Sequence, residues 1–144
     1  MKFLSLVILL ILSSTSFAAG GGGGSSPFIP MTPPIIVNIM DGQRVRHMQV
    51  IIELKVSKLE HAAIVEQHKG PIRHELILLL SSQDTASISS AQGKEALRKE
   101  SLQVVQNVLQ KVLGKAKKEN NESEGENKAD PIVEALYFTN FIIQ

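Results

Sequence analysis

The sequence predicts a small α/β domain of the α+β kind, an antiparallel or mixed sheet packed by about three helices. Three patterns carry that expectation. A β-branched run, Ile35–Met40, meets Asp41-Gly42 and is followed by Val45–Ser57, where apolar and polar residues alternate. Two later stretches, Pro71–Ser81 and Leu97–Val112, repeat their apolar residues at helical spacing. The last ten residues, Ala135–Gln144, hold three of the six aromatic residues, Tyr137, Phe138 and Phe141, among β-branched neighbours.

The order of segments places the domain. Met1-Lys2 precedes an apolar run from Phe3 to Leu12, then Ser13–Ser16 and the small-residue site Ser16-Phe17-Ala18. Basic, apolar and small-polar parts in that order form an export signal over residues 1–19. The residues leave two outcomes open, a signal peptide cleaved after Ala18 or an N-terminal membrane anchor. Both export the remainder. Residues 20–34 then read as a linker: Gly20–Ser26 is a flexible tether, and Pro27, Pro30, Pro33 and Pro34 extend it toward polyproline geometry. The folded domain is expected over 35–144.

Within it, Asp41-Gly42 reads as a hairpin turn, because both residue types accept positive φ. On the return strand Met48, Val50, Ile52, Leu54 and Val56 share the core face. His47, Gln49, Ile51, Glu53 and Lys55 share the wet one. Lys58–Gln67 is moderately helical, with Gly70 as its stop and Pro71 opening the next helix. A long helix starts near Ser89 or Ser90, with Ser89 and Gln92 fitting a capping box and Gly114 as its stop. Glu95 and Lys99 are placed as an i,i+4 ion pair. Residues 115–130 hold four lysines, four glutamates and one aspartate, which reads as a charged, solvated loop. Both faces of Ala135–Gln144 look apolar, so that strand is expected buried between other elements.

Composition narrows the function. Cysteine is absent, which removes disulfides, thiolate catalysis and cysteine metal sites. Without residues 1–18, whose only charged residue is Lys2, 14 basic side chains face 14 acidic ones. That balance gives no sign of the strongly basic face expected of a nucleic-acid binder. His47, His61, His68 and His74 lack metal-ligand spacing and read as surface imidazoles. Paired carboxylates, a nucleophile elbow and a phosphate-cradling glycine loop do not occur. Catalytic residues, metals and cofactors are therefore not expected.

Several stretches, in order, resemble the flagellar basal-body-associated FliL family. They are Ile36-Val-Asn-Ile39, Gly70-Pro-Ile-Arg-His-Glu-Leu-Ile77 with Leu80-Ser81, Gln92-Gly-Lys-Glu-Ala-Leu-Arg98, and Leu136-Tyr-Phe-Thr-Asn-Phe-Ile-Ile-Gln144. The resemblance covers about Pro34 to Gln144. It implies a stomatin/prohibitin-like periplasmic domain beside the inner membrane, with no catalytic residues. It also implies contact with the flagellar stator's motor proteins, self-association into rings, and a part in rotation, swarming and chemotactic motility. The family-signature positions are Asn38, Gly93, Leu97, Tyr137, Phe138, Phe141 and Gln144. The residues themselves leave a second reading open: a secreted or membrane-proximal oligomeric scaffold of the same fold, unconnected with flagella.

Overall fold

The computed structural model describes residues 27–119 and 130–144. The export segment, the Gly/Ser tether and most of the charged stretch 115–130 lie outside the described residues. Strand β3 (Arg44–Val56) is the centre of an antiparallel sheet. Strands β1 (Phe28–Pro30) and β2 (Ile35–Asp41) share one of its edges, and β4 (Val133–Ile143) takes the other. Asp41 pairs with Arg44, so the tight turn is Gly42-Gln43, and Gly42 supplies the positive φ of 63°. Asp41 thus closes the ladder instead of forming the turn, and its Oδ2 accepts from Arg46 Nε at 3.1 Å.

Alternation on β3 sorts the whole molecule. Met48, Val50, Ile52, Leu54 and Val56 are all buried, and the helices pack on that side. These are α1 (His61–Gln67), α2 (Lys69–Ser81), α3 (Thr85–Ile88) and α4 (Ala91–Glu119). They contribute Val65, then Ile72, Leu76 and Leu80, then Ile88, then Leu97, Val105 and Leu109 to a single core. Each such side chain adds about 1.5–3 kcal/mol relative to exposure. The opposite sheet face carries Ile36, Met40, Val45, Tyr137 and Ile142 as exposed residues. Among the described residues, no helix is long and apolar enough to cross a membrane.

Two local expectations are corrected, one open alternative is resolved and one element is added. Gly70 lies inside α2, and the joint between α1 and α2 is His68. Gly114 is likewise helical, since α4 runs to Glu119 and takes in the start of the stretch read as a charged loop. Ser90 is the side chain that caps α4, accepting from the Gly93 N–H at 2.9 Å. The one-turn helix α3 is an addition, capped by Asp84, whose Oδ1 accepts from Ser87 N–H at 2.7 Å.

The proline-rich stretch also departs from a plain spacer. Phe28–Pro30 pairs with Lys55–Glu53, and Ile29 and Met31 are buried. Arg73 of α2 explains how an unladdered run of prolines stays docked. Its guanidinium donates to the carbonyls of Met31, Pro33 and Pro34 at 3.3, 2.6 and 2.8 Å. Proline leaves carbonyls without a matching N–H, and Arg73 satisfies them.

The largest correction concerns β4. It is an edge strand, paired among the described residues with β3 alone, and only Val133 and Leu136 are fully buried. Its ladder slips twice, so Glu134 and Thr139 are extra residues without partners on β3. The slip at Thr139 lets Phe138 pair with buried Ile52 and Phe141 with buried Val50. Positions three apart therefore share the helix side. The two-sided apolar look of the sequence is one apolar face seen through a bulge.

Candidate interaction surface

Most of the positions expected as family signatures lie at two places. Across the exposed sheet face, Asn38 pairs with His47, and Asn38 Oδ1 lies 2.8 Å from His47 Nδ1. The backbone of Gln144 exchanges both hydrogen bonds with His47, each 2.9 Å long. Asn38, His47 and Gln144 thus form a row across three strands, at the same end as the Gly42 turn. On the helix side, Phe138 and Phe141 meet edge to face at a centroid distance of 5.4 Å, and Lys94 Nζ lies 5.2 Å from the Phe141 centroid.

Helix α4 holds these pieces to β4. Leu97 is buried in the core, and Ser101 beneath it donates to the Leu97 carbonyl at 2.7 Å. Gly93 packs so closely that an added Cβ would collide with the carbonyl of Ser87. That approach sets α3 against the first turn of α4. Arg98 donates to both carboxylate oxygens of Glu95 at 2.7 Å and to the Leu136 carbonyl at 3.2 Å. The hydrogen bond from Arg98 outweighs desolvation and holds the Glu95 carboxyl below its ordinary value. Arg98 is therefore the closer partner of Glu95, and the expected i,i+4 pair of Glu95 with Lys99 is also present, at 4.0 Å.

The remaining polar groups stay apart. His61 bonds Ser57 at 3.0 Å, His68 bonds the Ile64 carbonyl at 2.8 Å, and His74 lies on α2. Among the described residues, no three His, Asp or Glu side chains could hold a metal ion together. A groove of about 610 Å³ runs between α2 and α4, floored by Val104, Val108 and Val112 with His74, Glu75 and Lys111 on its lining. Those three polar residues make no hydrogen bond or ion pair with one another.

Residues 28–144 match the family model of flagellar basal body-associated protein FliL. The chain belongs to the FliL family. The flagellar protein FliL of Aquifex aeolicus (strain VF5) is 28% identical over 114 residues. Those residues are 79% of this chain and 59% of that relative, so the chain spans less than two-thirds of its length. The family match begins at the first residue of β1 and runs through β4, so the FliL domain includes the Phe28–Pro30 strand read from composition as linker.

Of the positions expected as family signatures, Gly93 and Leu97 are joined by α4, and Phe138 and Phe141 by their rings. Asn38 and Gln144 meet through His47. Tyr137 stands apart on the exposed face, 6.1 Å from the Phe28 ring. Sequence reasoning missed Arg73, which binds carbonyls of the connection between β1 and β2, and Arg98 and Gln106, which bind carbonyls of β4. A lone arginine or glutamine on a helix carries no local signal for a carbonyl 27 or more positions away in the chain.

Proposed function

We infer that this chain is a non-enzymatic accessory of the flagellar motor. It acts as an exported, periplasmic domain at the inner membrane near the basal body, docking beside the stator motor proteins. Copies associate into a ring and support rotation, swarming and chemotactic motility. The observation that carries this reading is the family match over residues 28–144, which takes in every described strand and helix. The surface agrees with it in kind: exposed apolar residues on one sheet face, and an open groove whose polar groups do not converge. Such a protein favours one stator state only through contacts that are better in that state.

Two measurements test the reading. Cross-linking in motile cells followed by purification of the tagged full chain is expected to bring down stator motor proteins. Deletion of the gene should reduce swarming and swimming under viscous load. Normal motility under load, with no stator protein recovered, would overturn it. The mass of the purified N-terminus decides the anchoring: a start at Ala19 means cleavage, and a start at Met1 means a retained anchor.

A further inference from the structure

The chain enters the domain through a segment that its own backbone holds weakly. Along one edge of β3, β2 pairs with Arg44 to Val50 and β1 with Glu53 to Lys55. Among the described residues, the stretch 27–34 is therefore what covers that edge beyond Val50. The Val56 N–H donates to the Pro27 carbonyl and the Met31 N–H to the Ile52 carbonyl, each at 2.8 Å. Between them lies a ladder of only three residues. Pro27, Pro30, Pro33 and Pro34 have no N–H to add to it.

Side chains make up the difference. Ile29 and Met31 are plugged into the core. Arg73 closes over the carbonyls of Met31, Pro33 and Pro34 and, among the described residues, has no carboxylate partner. Its guanidinium is thus given to this one segment. Release of the segment would empty the slots of Ile29 and Met31 and bare the β3 edge from Ile52 to Val56, so the docked state is the ground state. It would leave the ladders of β3 with β2 and β4 intact. Local opening of this kind belongs to the low-stability end of a fold.

We propose that residues 27–34 form a strap that docks and releases as one unit, with Arg73 as its clasp, and that release lengthens the domain's reach from the membrane. This deepens the reading of a domain held at the inner membrane, and it rests on a retained N-terminal anchor. Eight freed residues add at most about 26–29 Å of extended chain. The tether from Gly20 to Ser26 has seven residues, so release about doubles it. With the strap docked, Phe28 is fixed beside Lys55 and the domain stays within the tether's own length. A partner bound better at one reach than at the other shifts the balance between the two states.

Hydrogen exchange of the full chain tests the device without a membrane. Corrected for intrinsic rates, Met31 and Val56 are expected to exchange together and about tenfold or more faster than Val50, which pairs with Ile35 on the same edge. Arg73→Ala should speed both and leave Val50 unchanged, although Arg73 bonds neither Val56 nor Pro27. Equal rates at all three amides in the unmodified chain, or an Arg73→Ala effect shared by all three, would show that the strap opens only with the domain and overturn the proposal. Pro30–Glu53 adjoins the bonded Met31–Ile52 pair, so it is an unbonded pair with Cα atoms about 4.5 Å apart, within disulfide range. The chain has no cysteine, so Pro30→Cys with Glu53→Cys gives one disulfide that locks the strap. The oxidised lock should slow Met31 and Val56 to the Val50 rate and reduce swarming, whereas Glu53→Cys alone should swarm normally. A locked chain that swarms fully, in cells where gene deletion impairs swarming, overturns the role of release and leaves the accessory function standing. An N-terminus at Ala19 overturns the membrane reach in the same way.

Discussion

Two glycines of one helix face opposite environments, and each should answer alanine differently. Gly114 sits in α4 with nothing within 4 Å of an added Cβ. Glycine in a helix interior costs roughly 0.5–1 kcal/mol relative to alanine, so Gly114→Ala should stabilise the domain by about that much. Gly93 lies under the Ser87 carbonyl, where a Cβ meets backbone and no side-chain end can swing away. Forcing the group in should cost about 1–3 kcal/mol through displacement of α3. Urea unfolding of both variants reads the two signs in one experiment. A neutral Gly93→Ala would show that α3 is free to move, and would remove the steric reason offered for glycine there.

At the scale of elements, regular alternation was legible and its interruptions were not. The core face of β3 could be assigned residue by residue because its period of two is unbroken from Met48 to Val56, and every one of those positions is buried. The helical stripe Leu97, Val104, Val105, Val108, Leu109 and Val112 was legible in part: Leu97, Val105 and Leu109 are buried, while the other three are half-buried and line the groove. On β4 the signal failed because a bulge changes the phase of the pattern without leaving a local mark. Composition also misplaced β1, since prolines that look like a spacer are held by Arg73, some 40 positions away. Of the surface, the aromatics at Phe138 and Phe141 were legible, and their arrangement awaited the bulge. The bulge makes its own prediction. Removing Thr139 leaves Phe138 and Asn140 opposite Ile52 and Ile51, as they already are, so the deletion should give a regular ladder and a folded domain. Removing Gln49 from β3 has no bulge to absorb it and must turn half the strand's core residues to solvent. Thermal unfolding should show a cooperative transition for the first deletion and none for the second.

For the molecule as a whole, the two ends of the sheet have separate tasks. The chain enters at Phe28, beside Lys55 and Ala135, while the Gly42 turn, the Asn38–His47 pair and Gln144 lie at the other end. Phe28 pairs with Lys55 and Gln144 with His47, eight positions apart on β3, or about 26 Å at the usual rise per strand residue. A domain tethered through its N-terminus would therefore present the Gln144 end away from the tether, with β4 closing the sheet against β3. Truncation before Tyr137 tests that closing role. It removes the β4 partners of Met48 through Glu53 and leaves the central strand as an edge. It also strips Phe138, Phe141 and Ile143 from the core's margin. Each of these half-buried side chains contributes on the order of 1 kcal/mol, and the lost ladder adds to that, against a total stability of roughly 5–15 kcal/mol for a domain. The expected outcome is an unfolded or molten chain, with loss of the sharp near-ultraviolet circular dichroism and of cooperative melting. A truncated protein that stays folded and monomeric would show that the β4 segment from Tyr137 onward is an interface strand and that the core closes without it.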